Sequence, residues 1–169
     1  MDKVLNQETF LEKLRGGIRD FTGSNFIGEI HINRSSVDLG YKEELILDGS
    51  DFAAGLSLCD TNLGSLSLEK VSCAGIIAFY RPTVENIHSK QLRAQRLYIT
   101  SGIIHGINLF EAKLSDGFVI KATPLEMLIL DHCESPYSLF DEHAVKELTT
   151  VEARLGRRTP ITLGETARV

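Results

Sequence analysis

Cysteine is scarce: the chain has three, Cys59, Cys73 and Cys133, and no CxxC spacing among them. Three thiols cannot all pair, so the pattern argues against a disulfide framework and for reduced thiols in a reducing compartment. Long apolar runs are missing too. No stretch of about 18 uncharged apolar residues occurs, as a membrane-spanning helix would need. The opening residues Met1-Asp2-Lys3-Val4-Leu5-Asn6-Gln7-Glu8 are charged and lack the apolar stretch of a signal peptide, which makes the cytoplasm the expected location. Nor is positive charge in excess. The 18 Lys and Arg against 23 Asp and Glu leave a net charge of −5, the wrong sign for general nucleic-acid binding.

Motifs that carry chemistry are equally few. Gly16-Gly17 has neither the lysine nor the spacing of a phosphate-binding loop. His31, His88, His105, His132 and His143 are scattered. The one local cluster is Asp131-His132-Cys133-Glu134, with Asp141-Glu142-His143 downstream. It shows neither the spacing of four zinc ligands nor a base set for a thiol nucleophile. The expectation is a chain that is not an enzyme, with no catalytic, metal or cofactor site and no cofactor.

What the sequence does have is a period of five. Strict alternation fails beyond a few residues and no long segment keeps the 3.6-residue pattern of a helix. Leu58, Leu63, Leu68, Cys73 and Ala78 stand five apart, as do Ala94, Ile99, Ile104, Leu109, Leu114 and Val119. In a chain that is 43% hydrophobic, eleven apolar positions in such columns arise by chance about once in ten thousand for a given register. A second column of apolar or small residues lies two positions earlier, from Leu56 to Ile76 and from Leu92 to Gly117. Residues two apart face the same side of an extended segment. Each repeat therefore offers a three-residue strand with both ends inward, and two further residues to turn a corner. Upstream, Arg19-Asp20-Phe21, Ser24-Asn25-Phe26, Ile30-His31-Ile32, Leu45-Ile46-Leu47 and Ser50-Asp51-Phe52 continue the pattern with slips. A six-residue period, as in the left-handed β-helices of many acyltransferases, does not persist.

The triplets Ser24-Asn25-Phe26, Ser50-Asp51-Phe52, Thr61-Asn62-Leu63 and Ile107-Asn108-Leu109 resemble the pentapeptide-repeat family. The run Leu11 to Gly23, a short helix, a glycine and the first Asp-Phe, is similar to the lead-in of bacterial members. The resemblance covers roughly residues 19 to 119, with Ser67, Ser72, Ile77, Arg93, Tyr98 and Lys113 where Asp or Asn is usual. It implies an all-β solenoid: a right-handed quadrilateral β-helix of about five coils, about 24 Å long, with short N- and C-terminal helices.

Domain boundaries follow from this reading. Residues 1–18 form an N-terminal helical cap that starts at Asn6 or Thr9, carries Phe10, Leu11 and Leu14, and ends at Gly16-Gly17. Residues 19–122 form the β-helix. Residues 123–169 form a C-terminal helical cap or dimerisation segment and a polar, mobile tail beyond Gly156 that includes Ile161 and Leu163. Within it, 125–131 form a helix or one more coil after Thr123-Pro124. Ser138 with Asp141 reads as a capping-box variant. Residues 139–155 read as a helix with Ala144, Leu148, Val151 and Leu155 on one face.

The ladder breaks between Phe79 and Gln91; either Phe79 and Tyr80 fold back over the solenoid wall, or a protruding loop there presents Phe79, Tyr80 and Arg81 to a partner. The expected function is a non-catalytic scaffold that offers a rigid surface to a protein partner, with a possible homodimer through Leu148, Val151 and Leu155. Neither a membrane nor direct nucleic-acid binding is expected. The alternative is a DNA mimic acting on a topoisomerase such as gyrase. A 24 Å mimic would carry about 14 negative charges, whereas residues 19 to 119 hold twelve acidic and nine basic residues, a net of −3. The local acidic patch Glu43, Glu44, Asp48 and Asp51 is opposed by Arg81, Lys90, Arg93 and Arg96.

Overall fold

A computed structural model describes residues 4–140 and 145–156. The readings that involve Asp141, Glu142, His143, Ala144, Ile161 and Leu163 fall outside the described residues.

The chain is a parallel β-solenoid. Every pairing among the described strands is parallel, and each segment stacks on the one a coil earlier. Phe52 lies beside Cys73, Cys73 beside Ala94, and Ala94 beside Leu114, so the coils run 21, 21 and 20 residues. One column rises through Leu5, Phe26, Phe52, Cys73, Ala94, Leu114, Ser135 and Leu155. Its eight levels make seven turns, and at about 4.8 Å between stacked strands the rod is about 34 Å long. The expectation of five coils is thus corrected to about seven.

The extra turns lie at the ends, where Leu5 pairs with Phe26 and the coils continue beyond residue 119 to Leu155. Inward pairs run Leu56/Leu58, Thr61/Leu63, Leu66/Leu68 and Val71/Cys73, then step by one residue to Ile77/Phe79, Pro82/Val84, Ile87/Ser89 and Leu92/Ala94. They continue in phase to Ala112/Leu114 and step again to Phe118/Ile120, Thr123/Leu125, Leu128/Leu130 and Cys133/Ser135. The expected break at Phe79 to Gln91 is therefore a continuous half-coil in shifted phase. Ala78 and Val119 leave the inward columns but stay covered at 6% and 8% exposure, while Ile77, Phe79, Phe118 and Ile120 take the interior.

Each step sits at the corner that leaves the first face, the one carrying Phe52, Cys73, Ala94 and Leu114, and a glycine marks it. A Cβ on Gly75 would lie 2.3 Å from the Ala54 carbonyl oxygen. One on Gly117, whose φ is +102°, would lie 2.1 Å from that of Tyr137. The crowded corner can take the extra residue where a side chain is absent.

The one helix among the described residues is short and caps the N-terminal end. Helix α1 (Gln7–Arg15) starts at Asn6, whose side chain accepts from the Thr9 amide while the Thr9 hydroxyl oxygen accepts from the Asn6 amide. It buries Phe10, Leu11 and Leu14, and the Phe10 ring packs edge-on at 4.7 Å from Phe21 and 5.1 Å from Phe26. The first rung would otherwise leave those phenylalanines in water.

The described residues contain no matching helix at the other end. Leu125–Ile129 is a strand, which settles that choice in favour of a further coil, and Val145–Thr149 and Arg154–Leu155 are strands stacked on the preceding rung. The spacing of Leu148, Val151 and Leu155 suits a helical stripe. The rung below, however, offers a row of N–H and C=O groups to pair with, and β-branched Val145 and Thr149 favour the extended chain that pairs with it.

Candidate interaction face

One corner of each coil is a β-turn closed by a backbone hydrogen bond, as from Leu92 N–H to Ser89 C=O and from Ala112 N–H to Leu109 C=O. The third turn residue has positive φ in every described turn of the stack. Gly23 and Gly49 serve first, then Lys70, Gln91, Glu111, His132 and Glu152. This corner bundles polar contacts: Lys90 lies 4.0 Å from Glu69, the Gln91 amide donates to Glu111 at 2.6 Å, and His132 meets Glu152 at 3.2 Å.

The second face is different. Outward residues here stack as His31, Ser57, Ala78, Tyr98, Val119 and Leu139, one per rung. The column is polar on its first two rungs and apolar on the last four. Beside it stand Ile76, 44% exposed, Tyr80, 41% exposed, and Tyr137, 39% exposed. The Tyr80 and Tyr98 rings are 5.7 Å apart. Arg96 lies between Ile76 and Gly117 in adjacent rungs and reaches Asp116 at 3.8 Å. A flat, aromatic, arginine-bearing patch on a rigid sheet is the composition found at the energetic centres of protein interfaces.

Of the three expected contact residues, the structure leaves two on this face. Phe79 is fully buried in the inward column and cannot meet a partner in the folded chain. Tyr80 belongs to the patch. Arg81 borders it, its guanidinium donating to both carboxylate oxygens of Asp60 at 2.6 and 2.7 Å. The reading from sequence missed Ile76, Tyr98, Val119, Tyr137 and Leu139, because their alignment depends on where the coils slip.

The residues weighed for chemistry do not converge. Cys133 is buried in the interior column while neighbouring His132 points out at the turn corner. Burial, with the nearby Glu134 charge adding to it, pushes the Cys133 thiol up to about 12, so it is not a thiolate near neutrality. Burial also raises the Cys73 and Cys59 thiols. Among the described residues no group of three or more His, Cys, Asp or Glu could hold a metal ion, and no helix is long and apolar enough to cross a membrane.

One constellation has the residue types of a hydrolase triad. His31 Nδ1 contacts the Ser57 hydroxyl and its Nε2 lies 3.1 Å from Glu29. The His31 and Glu29 side chains are both more than half exposed, on the flat polar end of the second face, where water competes for every one of these bonds. The depression over the first face, lined in part by Asp51, Ser72, Arg93 and Lys113, is shallow and open to solvent.

Protein-family models, characterised proteins and solved structures were compared with the chain, and none matches.

Proposed function

We propose that the chain is a degenerate pentapeptide-repeat protein that works as a non-catalytic, cytoplasmic scaffold and binds a protein partner through its second face. The observation that carries this reading is the exposed patch of Ile76, Tyr80 and Tyr137, with half-buried Tyr98 and Leu139 in the column beside them and Ala78 and Val119 nearly covered in the same column. Away from this patch exposed apolar side chains such as Ile27, Tyr41 and Ile103 also occur, and opposite charges stack in adjacent rungs, Lys113 with Glu134 and Lys146 with Glu126. A solenoid gives such a patch a rigid backing, so little ordering cost is added on binding.

The expected result is capture of a discrete protein from native lysate by the wild-type chain. Tyr80→Ala and Tyr98→Ala each weaken that capture by about tenfold or more, as truncation of an interface anchor does. Arg93→Ala, on the first face, leaves it unchanged. Equal capture by all four proteins would remove the second face from the proposal.

The DNA-mimic reading is the alternative. A rod of about 34 Å would need about 20 negative charges to match a duplex, against the net −5 of the whole chain. The stacked opposite charges also break any continuous negative stripe. Inhibition of gyrase supercoiling by the purified chain would favour the mimic over the scaffold.

A further inference from the structure

Down the first face the outward column reads Asn25, Asp51, Ser72, Arg93, Lys113, Glu134 and Arg154, one residue per rung. From Lys113 onward neighbours carry opposite charge, and Lys113 Nζ lies 3.4 Å from Glu134. Arg93 and Lys113 break that order: two cations stand in adjacent rungs, about 4.8 Å apart along the stack. Like charges on neighbouring strands repel, and an anion bridging both reverses the sign. The Arg93 guanidinium makes no hydrogen bond or ion pair among the described residues. Both cations line the broad, open depression over this face, together with Ser72 and Ser115. Beside them Ala53 and Ala74, both exposed, present only methyl groups.

We propose that this pair binds a phosphate monoester carried on an apolar body. The guanidinium fork of Arg93 donates two parallel N–H···O bonds to the phosphoryl group, and the Lys113 ammonium adds a point charge. The Ser72 and Ser115 hydroxyls donate to the remaining oxygens, and the apolar body lies along Ala53 and Ala74. The surrounding carboxylates leave the pair in excess. Asp116 is held by the Gln95 amide at 2.9 Å and by Arg96 at 3.8 Å. Asp51 stands two rungs from Arg93. Glu134 competes for Lys113, but Arg154 in the next rung can hold it when Lys113 turns to the ligand. A free organic phosphate and a phosphorylated side chain of another protein share this chemistry. The site is independent of the second face.

The test is an NMR titration of the full chain with phenyl phosphate, following backbone amides. Saturable shifts are expected at residues 72–74, 93–95 and 113–115, with a Kd below about 10 mM. Arg93→Gln and Lys113→Gln each weaken binding by about fivefold or more. Glu134→Gln removes the competitor and tightens it by about twofold or more, a gain that misfolding does not produce. Phenyl sulfate, a monoanion, binds at least about threefold more weakly, and only the phosphate loses affinity as pH falls through about 6. A peptide with one phosphotyrosine binding more tightly than phenyl phosphate assigns the site to protein side chains; equal or weaker binding assigns it to small organic phosphates. Shifts scattered over the surface, or unchanged in Arg93→Gln, mean adventitious anion binding and overturn the proposal. Inorganic phosphate binding as tightly as phenyl phosphate overturns the apolar body. Capture through Tyr80 and Tyr98 is read separately and is unaffected by these variants.

Discussion

At the scale of the residue, the interior of this solenoid decides which groups can react or titrate. Cys133 sits in a column between Ala112 and Ala153, and its thiol is pushed up to about 12 by burial. In the unfolded chain a cysteine ionises near 8.5. The folded value is raised, so the favourable contribution is fully present below about pH 8.5 and is lost as pH rises toward the folded value. Denaturation midpoints measured from pH 7 to 10.5 should therefore fall more steeply for the wild type than for Cys133→Ala. Equal slopes would mean that the thiol is not shielded. Asp60 has the opposite sign: the hydrogen bond from Arg81 holds its carboxyl below the usual range. Its contribution is present at neutral pH and disappears as pH falls through the folded value. Because the pair is exposed, that contribution is slight.

At the scale of the element, the β-turn stack is where local preference and tertiary demand conflict. Five of its seven third positions, Lys70, Gln91, Glu111, His132 and Glu152, hold positive φ without being glycine. A left-handed conformation costs a side-chain-bearing residue roughly 1 kcal/mol, and the hydrogen bonds of the stacked turns offset it. Glu111→Gly relieves that strain while loosening the unfolded chain, so its effect on stability should stay within about 1 kcal/mol either way. Glu111→Val puts a β-branched residue in the same conformation and should destabilise by roughly 1–2 kcal/mol. Urea denaturation of the two variants separates these outcomes, and a neutral valine would show that the turn readily takes another form. A sequence pattern reveals little of this corner, since Lys, Gln, Glu and His are not residues that announce a turn.

At the scale of the whole molecule, stability is passed from rung to rung, and the ends are the weak points. The phenylalanine cluster Phe10, Phe21, Phe26 and Phe52 anchors the N-terminal end, with Phe26 and Phe52 stacked at 4.3 Å. Phe10→Ala removes the cap's largest buried side chain and should cost about 3–5 kcal/mol. The loss should be local at first. Hydrogen exchange is expected to speed up over residues 21–52 well before residues 92–120. Uniform acceleration along the rod would instead indicate a single cooperative unit.

The sequence by itself determined the period, the inward columns and hence the solenoid, because burying one pair of residues every five positions leaves a clear mark on composition. The N-terminal cap was legible for a similar reason: Asn6, the apolar Phe10, Leu11 and Leu14, and Gly16-Gly17 are local signals. Phase was not. One extra residue at Gly75 and another at Gly117 cost nothing in apolar content, yet each shifts every following inward pair by one position. That is why Phe79 moved from a supposed loop to the core; the uncounted turns lie outside residues 19 to 119, at Leu5 and on from Ser135 to Leu155. The C-terminal strands were hidden as well, since Leu148, Val151 and Leu155 suit two periods and only a rung to pair with decides between them. The outer face lay furthest from the sequence. Whether Ala78, Tyr98, Val119 and Leu139 line up depends on coils of 20, 21 and 20 residues adding in the right order, a sum fixed by backbone stacking and by no residue alone.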